Sequence, residues 1–224
     1  NFNDLGARFG ESVAVSADGL VVVIGAPSAT PLGGPAQIGS AFAMQRANLD
    51  LGFVLVEELV DPAPQTGAGF GHRVALSNDG NTAAIARTTG LFGNPGPADV
   101  VFVAERADGS VWSAPQPLAP VVPVAAEEQL GSTLAIDPAG DTIAAGTVPT
   151  ALGDCGTVHV WERAGGSFAP AQELTHQSAA FGCLFGADAI AFAGGELLVG
   201  DSVHDGLAGA PPSAPQTGVG EIGR

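Results

Sequence analysis

The 224-residue chain has no lysine and no tyrosine, a single methionine and two cysteines. Its seven basic residues are all arginine (Arg8, Arg46, Arg73, Arg87, Arg106, Arg163 and Arg224), set against 23 acidic ones, for a formal charge of −16. Without lysine there is no Walker-A loop and no Schiff-base amine. So few bases cannot form the patch that displaces counterions from nucleic acid or an anionic membrane, so neither is an expected partner. Charged residues make up only 13% of the chain, against roughly 25% in an average soluble protein, which argues against a charge-rich disordered chain, a coiled coil or a long helical bundle. The apolar runs are short, Leu20–Ile24 among them, and far below the ~20 residues of a membrane-spanning helix. No signal peptide is visible; because position 1 is Asn rather than Met, a processed or trimmed start is expected. We read no function from the missing Lys and Tyr, a pattern of biased genome composition.

What the chain has in quantity is glycine (33), proline (17) and internal repetition. An aromatic or Leu followed by Gly recurs at Phe9-Gly10, Phe70-Gly71, Leu130-Gly131 and Phe181-Gly182, with steps of 61, 60 and 51 residues. Each of the first three units continues in one order. A first strand meets a hairpin: Ser16-Ala17-Asp18-Gly19, Ser77-Asn78-Asp79-Gly80, and Asp137-Pro138-Ala139-Gly140-Asp141. A second strand and a variable Gly/Pro-rich stretch follow. Next comes an alternating strand ending in Arg46, Arg106 or Arg163. Last is an aromatic with Leu six positions on: Phe53/Leu59, Trp112/Leu118 and Phe168/Leu174. Four short strands per ~55–60 residues make one antiparallel sheet that cannot cover both its faces alone. Stacking such sheets radially covers them, so the expected fold is an all-β β-propeller of four-stranded antiparallel blades. Small residues such as Ala14, Ala75 and Ala135 suit sheets that converge on an axis. The repeats run over about 7–66, 67–126, 127–178 and, in part, 179–224.

These residues resemble FG-GAP repeats, the unit of the integrin α-subunit propeller. The Phe-Gly of that name is found at 9, 70 and 181, and Gly25-Ala26-Pro27 matches its Gly-Ala-Pro literally. Elsewhere Ala86-Arg87, Gly146-Thr147-Val148 and Gly200-Asp201-Ser202 stand in its place, and Gly39, Gly156 and Gly218 match the glycine that opens the third strand. The resemblance implies an extracellular or surface-exposed propeller, usually of about seven blades, that contacts proteins or glycans. With three whole units and part of a fourth, a fragment of a larger ring, or a ring completed by another chain, is expected over a small four-bladed ring. Integrin-type blades often carry a calcium loop, Asp-x-Asp/Asn-x-Asp-Gly, in the first hairpin. The hairpins here offer one or two carboxylates each, so the resemblance makes calcium conceivable while turn chemistry is the expectation, and no cofactor or metal is assigned.

Two readings compete at most other candidates. Cys155 and Cys183 fall at one end of adjacent blades, so a disulfide between them is expected, fitting an oxidising compartment; two idle thiols are the alternative. His72, His159, His176 and His204 sit at unrelated repeat positions without zinc spacing, so they are read as structural. Gly200-Asp201-Ser202 resembles the nucleophile block of GDSL hydrolases, but only 18 residues follow Gly206 and the same tripeptide falls where the repeat needs its second strand to end. Phe42, Phe102, Trp112, Trp161 and Phe168 recur in step with the repeat, which favours core packing, and the recurrent arginines are expected to anchor the turn into the outer strand against Glu or backbone carbonyls. That leaves the variable stretches 28–38, 88–98, 147–154 and 201–217, on one propeller face, as the expected binding region. Its candidate residues are Pro31, Gln37, Phe92, Asn94, Asp154, Asp201, His204 and Asp205. The expected function is a non-catalytic extracellular interaction module with an integrin-α-like adhesion role. The alternatives are a propeller-fold polysaccharide lyase or hydrolase, and a structural segment of a larger surface protein.

Overall fold

The computed structural model describes residues 6–31, 37–88, 99–107, 109, 111–124, 128–148, 155–175, 184–200 and 218–220, the last three as backbone. Four sheets follow one another along the chain, each with its strands paired antiparallel in sequence order. The first holds β1 (Ser12–Val15), β2 (Val21–Ala26), β3 (Ser40–Gln45) and β4 (Val54–Leu59). The second holds β5 (Phe70–Leu76), β6 (Thr82–Arg87), β7 (Val100–Glu105) and β8 (Gln116–Leu118). The third holds β9 (Gln129–Ile136), β10 (Thr142–Val148), β11 (Thr157–Ala164) and β12 (Ser167–Thr175); the fourth holds β13 (Ile190–Ala193), β14 (Glu196–Val199) and β15 (Gly218–Gly220). No helix occurs among the described residues. The first sheet packs on the second, the second on the third and the third on the fourth, as blades of a β-propeller do.

Alternation along each strand sends one set of side chains to each neighbouring blade. Val21, Val23, Ala41, Ala43 and Leu59 of the first blade pack against Phe70, Val74, Ile85, Phe102 and Trp112 of the second. The other face of the second blade, with Ala75, Ala84, Val101 and Val103, meets Leu130, Ile143, Ala145 and Trp161 of the third. Ala144, Val158 and Val160 then meet Phe185, Leu197 and Val199 of the fourth. The aromatics lie as their periodicity implies: Phe42, Phe102, Trp112 and Trp161 are buried, and Phe168 is half-buried against the second interface.

The hairpins are built by side-chain turns. Ser16 Oγ donates to Asp18 Oδ1 (2.6 Å), the same oxygen accepts Leu20 N–H (2.9 Å), and Gly19 takes φ 69°. Ser77, Asp79 and Gly80 repeat this, while in the third blade Asp137 Oδ1 accepts the N–H groups of Asp141 (2.7 Å) and Thr142 (2.8 Å). The Ser16 and Leu20 hydrogen bonds hold the Asp18 carboxyl below its ordinary range. These carboxylates are thus engaged in turn geometry. Each third-strand arginine then ties its hairpin to the outer strand. Arg46 Nε donates to Gly19 O (2.8 Å), Arg106 Nε to Gly80 O (3.1 Å) and Arg163 Nη2 to Gly140 O (2.8 Å). The guanidinium groups sit over Phe53, Trp112 and Phe168 at 4.7, 5.0 and 4.5 Å from the ring centroids. Two of them also reach back to the preceding blade, Arg106 to Gln45 Oε1 (3.3 Å) and Arg163 to Glu105 Oε1 (2.5 Å).

The Phe-Gly and Gly-Ala-Pro elements meet across the blade interfaces. Phe70 N–H donates to Ile38 O (3.0 Å), and the chain at Phe70-Gly71 lies against the backbone of Gly39 and Gly25. A Cβ on Gly25 would stand 1.9 Å from Gly71 O, and one on Gly39 would stand 2.2 Å from Phe70 O. The third interface repeats the contact: a Cβ on Gly146 would lie 2.0 Å from Gly186 O, and one on Gly156 would lie 2.3 Å from Phe185 O. At the middle seam Ala86 replaces the glycine and its Cβ is the atom that Gly131 faces.

One assignment in the fourth repeat needs correction. The seat expected for Phe181-Gly182 is taken by Phe185-Gly186, so the third step, from 130 to 185, is 55 residues rather than 51. The backbone confirms this equivalence, since Gly186 N–H donates to Gly200 O (2.8 Å) as Gly10 N–H donates to Gly25 O (3.0 Å). Gly218 is the first residue of β15 and pairs with Val199. The displacement of the seam has a plain cause: glycine is so frequent here that only the backbone approach identifies the one that matters.

Substituting Gly25→Ala is expected to cost about 2–4 kcal/mol of unfolding free energy in urea, since overpacking here is against backbone that cannot turn aside. Gly52→Ala, where a Cβ would meet nothing within 4 Å, is expected to change stability by less than about 0.5 kcal/mol.

Candidate functional site

Antiparallel strands in fixed order put the Phe-Gly seams, the ends of the second strands, the starts of the third strands and the links between blades on one rim. The hairpins and the arginine braces occupy the opposite rim. The first connection on the seam rim is closed by its own backbone: Ala29 N–H donates to Ala26 O (3.0 Å) and Gly39 N–H to Ala29 O (3.0 Å). Gln37 is exposed, adopts φ 56° and accepts the Gly67 N–H at its carbonyl (3.1 Å), so it pins the link between the first two blades; Pro31 is half-buried nearby in sequence. Phe92, Asn94, Asp154, Asp201, His204 and Asp205 lie outside the described residues, as do His176, Ser202 and Cys183. The candidate loop face is therefore described at Pro31 and Gln37 alone. Cys155 is half-buried immediately before Gly156, at the third seam.

Beneath this rim lies a polar layer. Asp61, in the link after β4, pairs through Oδ2 with Arg87 Nη1 at 2.7 Å, with side-chain exposures of 0% and 8%. Asp61 Oδ1 also accepts the Ala63 N–H (2.8 Å), and Arg87 lies 5.3 Å from the Phe102 ring centroid. A buried pair of this kind is held by geometry more than it adds net stability, because desolvation offsets much of the attraction. Sequence reading singled out Arg87 only as a departure from Gly-Ala-Pro, and it passed over Asp61. The signal available was a charge where a buried second strand should end.

Two histidines are buried, His72 on β5 and His159 on β11. His72 is pushed down to about 4, chiefly by burial and next by the neighbouring Arg73 charge. His159 is also lowered by burial, with its Nε2 3.3 Å from Thr157 Oγ1. Polar bonds from the inner strands cross the seams: Arg73 Nε donates to Ser132 O (3.0 Å), Val74 N–H to Ser12 Oγ (3.0 Å), and Thr133 Oγ1 to Gly186 O. Around the perimeter a cleft of about 220 Å³ opens between the outer strands of the first two blades, lined by Glu57, Glu58, Pro62 and Ser113 among others. Both of its carboxylates are engaged, Glu57 by the Trp112 N–H (3.1 Å) and Glu58 by Ser40 Oγ (2.7 Å). Among the described residues no group of three His, Cys, Asp or Glu side chains is arranged to hold a metal ion. Gly200 closes β14 in the register of Gly25, so the frame accounts for the glycine of the Gly-Asp-Ser tripeptide.

No family model matches the chain, and no curated protein matches it. Several solved structures are similar in outline. A chain from a structural and mechanistic analysis of two prolyl endopeptidases is 17% identical with a TM-score of 0.48, over 85% of this chain and 24% of that one. The Kuenenia stuttgartiensis hydrazine synthase is 14% identical with a TM-score of 0.44, over 84% of this chain and 48% of that one. A putative 6-phosphogluconolactonase from Bacteroides fragilis is 11% identical with a TM-score of 0.40, over 87% of this chain and 64% of that one. This chain thus spans less than two thirds of each. A likeness of this degree carries no argument about its chemistry.

The histidines give the fold a pH dependence with a definite sign. Folded His72 binds its proton less readily than unfolded His72, so the contribution is complete above about 6.5 and is lost as pH falls towards about 4. Urea midpoints measured across that window should fall with acid, the unfolding free energy dropping by no more than about 1.4 kcal/mol per pH unit for one proton. His72→Gln should flatten the curve; a wild-type midpoint that does not move would contradict the assignment.

Proposed function

We propose that the chain is a non-catalytic interaction module, an FG-GAP-type propeller segment that works outside the cell and contacts a protein or glycan through the connections between its second and third strands. The observation that carries this reading is where the repeating residues go. The recurrent glycines form the blade seams, the recurrent arginines and hairpin carboxylates bind the turns, and the recurrent aromatics fill the interfaces. What does not repeat, at 28–38, 88–98, 147–154 and 201–217, is left without a part in that frame, and loops on a rigid scaffold are where binding resides. A charge of −16 favours a neutral or cationic partner surface over an anionic one.

Exchange of each loop for a Gly-Ser segment of equal length, followed by binding to a panel of extracellular-matrix proteins and glycans by interferometry, tests the reading. At least one exchange should abolish a wild-type interaction while leaving the thermal unfolding midpoint in place. An interaction that survives all four exchanges, or a wild-type chain that turns over a polysaccharide, sinks it.

A Cys155–Cys183 disulfide belongs to the same proposal. No free cysteine occurs among the described residues. Gly156, next to Cys155, abuts the carbonyl of Phe185, two residues from Cys183. Such a bridge would span the third seam and contribute about 3–4 kcal/mol. Alkylation under denaturing conditions should label neither cysteine before reduction and both after it; labelling of the unreduced chain would refute the bridge.

A further inference from the structure

The outer strand of the first blade departs from the other two outer strands in one stretch. Phe53, Trp112 and Phe168 each stand six residues before the leucine of their strand, which aligns Val54-Leu55-Val56 with Ser113-Ala114-Pro115 and Ala169-Pro170-Ala171. The frame is thus built twice with small residues and a proline at these positions. In β4 they are Val, Leu and Val, exposed by 64%, 45% and 43%. Among the described residues β4 pairs with β3 alone, so its other edge keeps free main-chain donors and acceptors. Proline guards such an edge because it has no N–H to offer a further strand. β8 is three residues long, with Pro115 just before it and Pro117 within it, and β12 contains Pro170; no proline occurs between Phe53 and Asp61. The bulge at Val56 does not replace that guard, since β12 has the same bulge at Ala171 and a proline as well.

The exposure lies on a side where a neighbouring blade is in place. Val54 stands opposite Gln45, and cross-strand partners share a face. Gln45 Oε1 accepts Arg106 Nη1 of the second blade (3.3 Å). Towards the other end of β4 the short β8 leaves the cleft of about 220 Å³, walled by Glu57, Glu58, Leu59 and Val60 on one side and by Ser113 and Pro115 on the other. Each carboxylate there takes one hydrogen bond from a neutral donor, Glu57 Oε2 from the Trp112 N–H and Glu58 Oε1 from Ser40 Oγ. Neither forms an ion pair among the described residues. Their charges are uncompensated, and a carboxylate accepts more than one such bond. The frame does not require them, because the second blade has Gln116 and Pro117 in their place.

We propose that the free edge of β4 accepts an extended, cationic segment of a partner protein as a fifth strand, with apolar side chains beside Val54 and Val56 and an Arg or Lys over Glu57 and Glu58. In such an addition main-chain hydrogen bonds supply affinity and alternate side chains supply specificity. Charge complementarity selects the occupant. A second copy of this chain, itself at −16, would bring the same two glutamates to the contact, whereas a basic segment neutralises them. This edge is separate from the loop connections, and its test does not depend on what they bind.

Fluorescence anisotropy on the full chain reads the outcome with three labelled peptides. One alternates Val and Thr and ends in Arg-Arg; the second ends in Glu-Glu; the third is the first with Pro in place of its central Val residues. Only the first should bind, and added salt should weaken it. Val54→Ser/Leu55→Ala/Val56→Pro gives β4 the residues of the second blade. It should abolish binding while circular dichroism and the thermal unfolding midpoint stay as in the wild type. Glu57→Gln/Glu58→Gln keeps both hydrogen-bond acceptors, and by itself should weaken the Arg-Arg peptide by about fivefold. The proposal fails if the Arg-Arg peptide does not bind, if either other peptide binds equally, if salt leaves its affinity unchanged, or if either variant binds as the wild type does. A chain that is dimeric in light scattering and becomes monomeric with the triple exchange would give the edge to a second copy instead.

Discussion

The structure depends on the backbone approach at the blade seams. Phe70-Gly71 of the second blade and Phe185-Gly186 of the fourth come so near the preceding blade that no side chain fits at Gly25, Gly39, Gly146 or Gly156. Such an approach lets the seam be held by main-chain groups, as in the Phe70 N–H to Ile38 carbonyl bond, while the phenylalanine enters the interface from the rim. Once that contact is set, the faces of adjacent sheets are brought within packing distance and the alternation of each strand decides which side chains meet. A sheet of this size, alone, would leave both its faces to water.

A second device works at the opposite rim, where hairpins would otherwise be joined to the sheet only through their strands. In each of the first three blades one arginine binds the carbonyl of the hairpin glycine and covers the outer-strand aromatic, and in two of them it reaches back to the preceding blade. Arginine suits this because a planar guanidinium can stack on a ring with one face while its edge donates several hydrogen bonds. The chain's restriction to arginine among its cations is compatible with this use.

Function is left to what the frame does not use. Beneath the seam rim Asp61 and Arg87 form a buried pair that holds the link between the first two blades. The outer cleft and the hairpins contain carboxylates, but hydrogen bonds within the frame engage them.

The sequence by itself determined the blade. Period-two alternation, Asp-Gly turns and landmarks in constant order are local properties, written in consecutive residues, and the four strands, the hairpins and the roles of Arg46, Arg106 and Arg163 could be read from them. Only the tertiary structure decided which of many glycines make the seams. Phe181-Gly182 and Phe185-Gly186 look alike in sequence, because a glycine records nothing of what approaches it. The Asp61–Arg87 pair escaped for the same reason, since its partners stand 26 residues apart and meet only when two blades pack. Contacts between blades are set by distance in space, and a linear pattern carries that information only where it repeats.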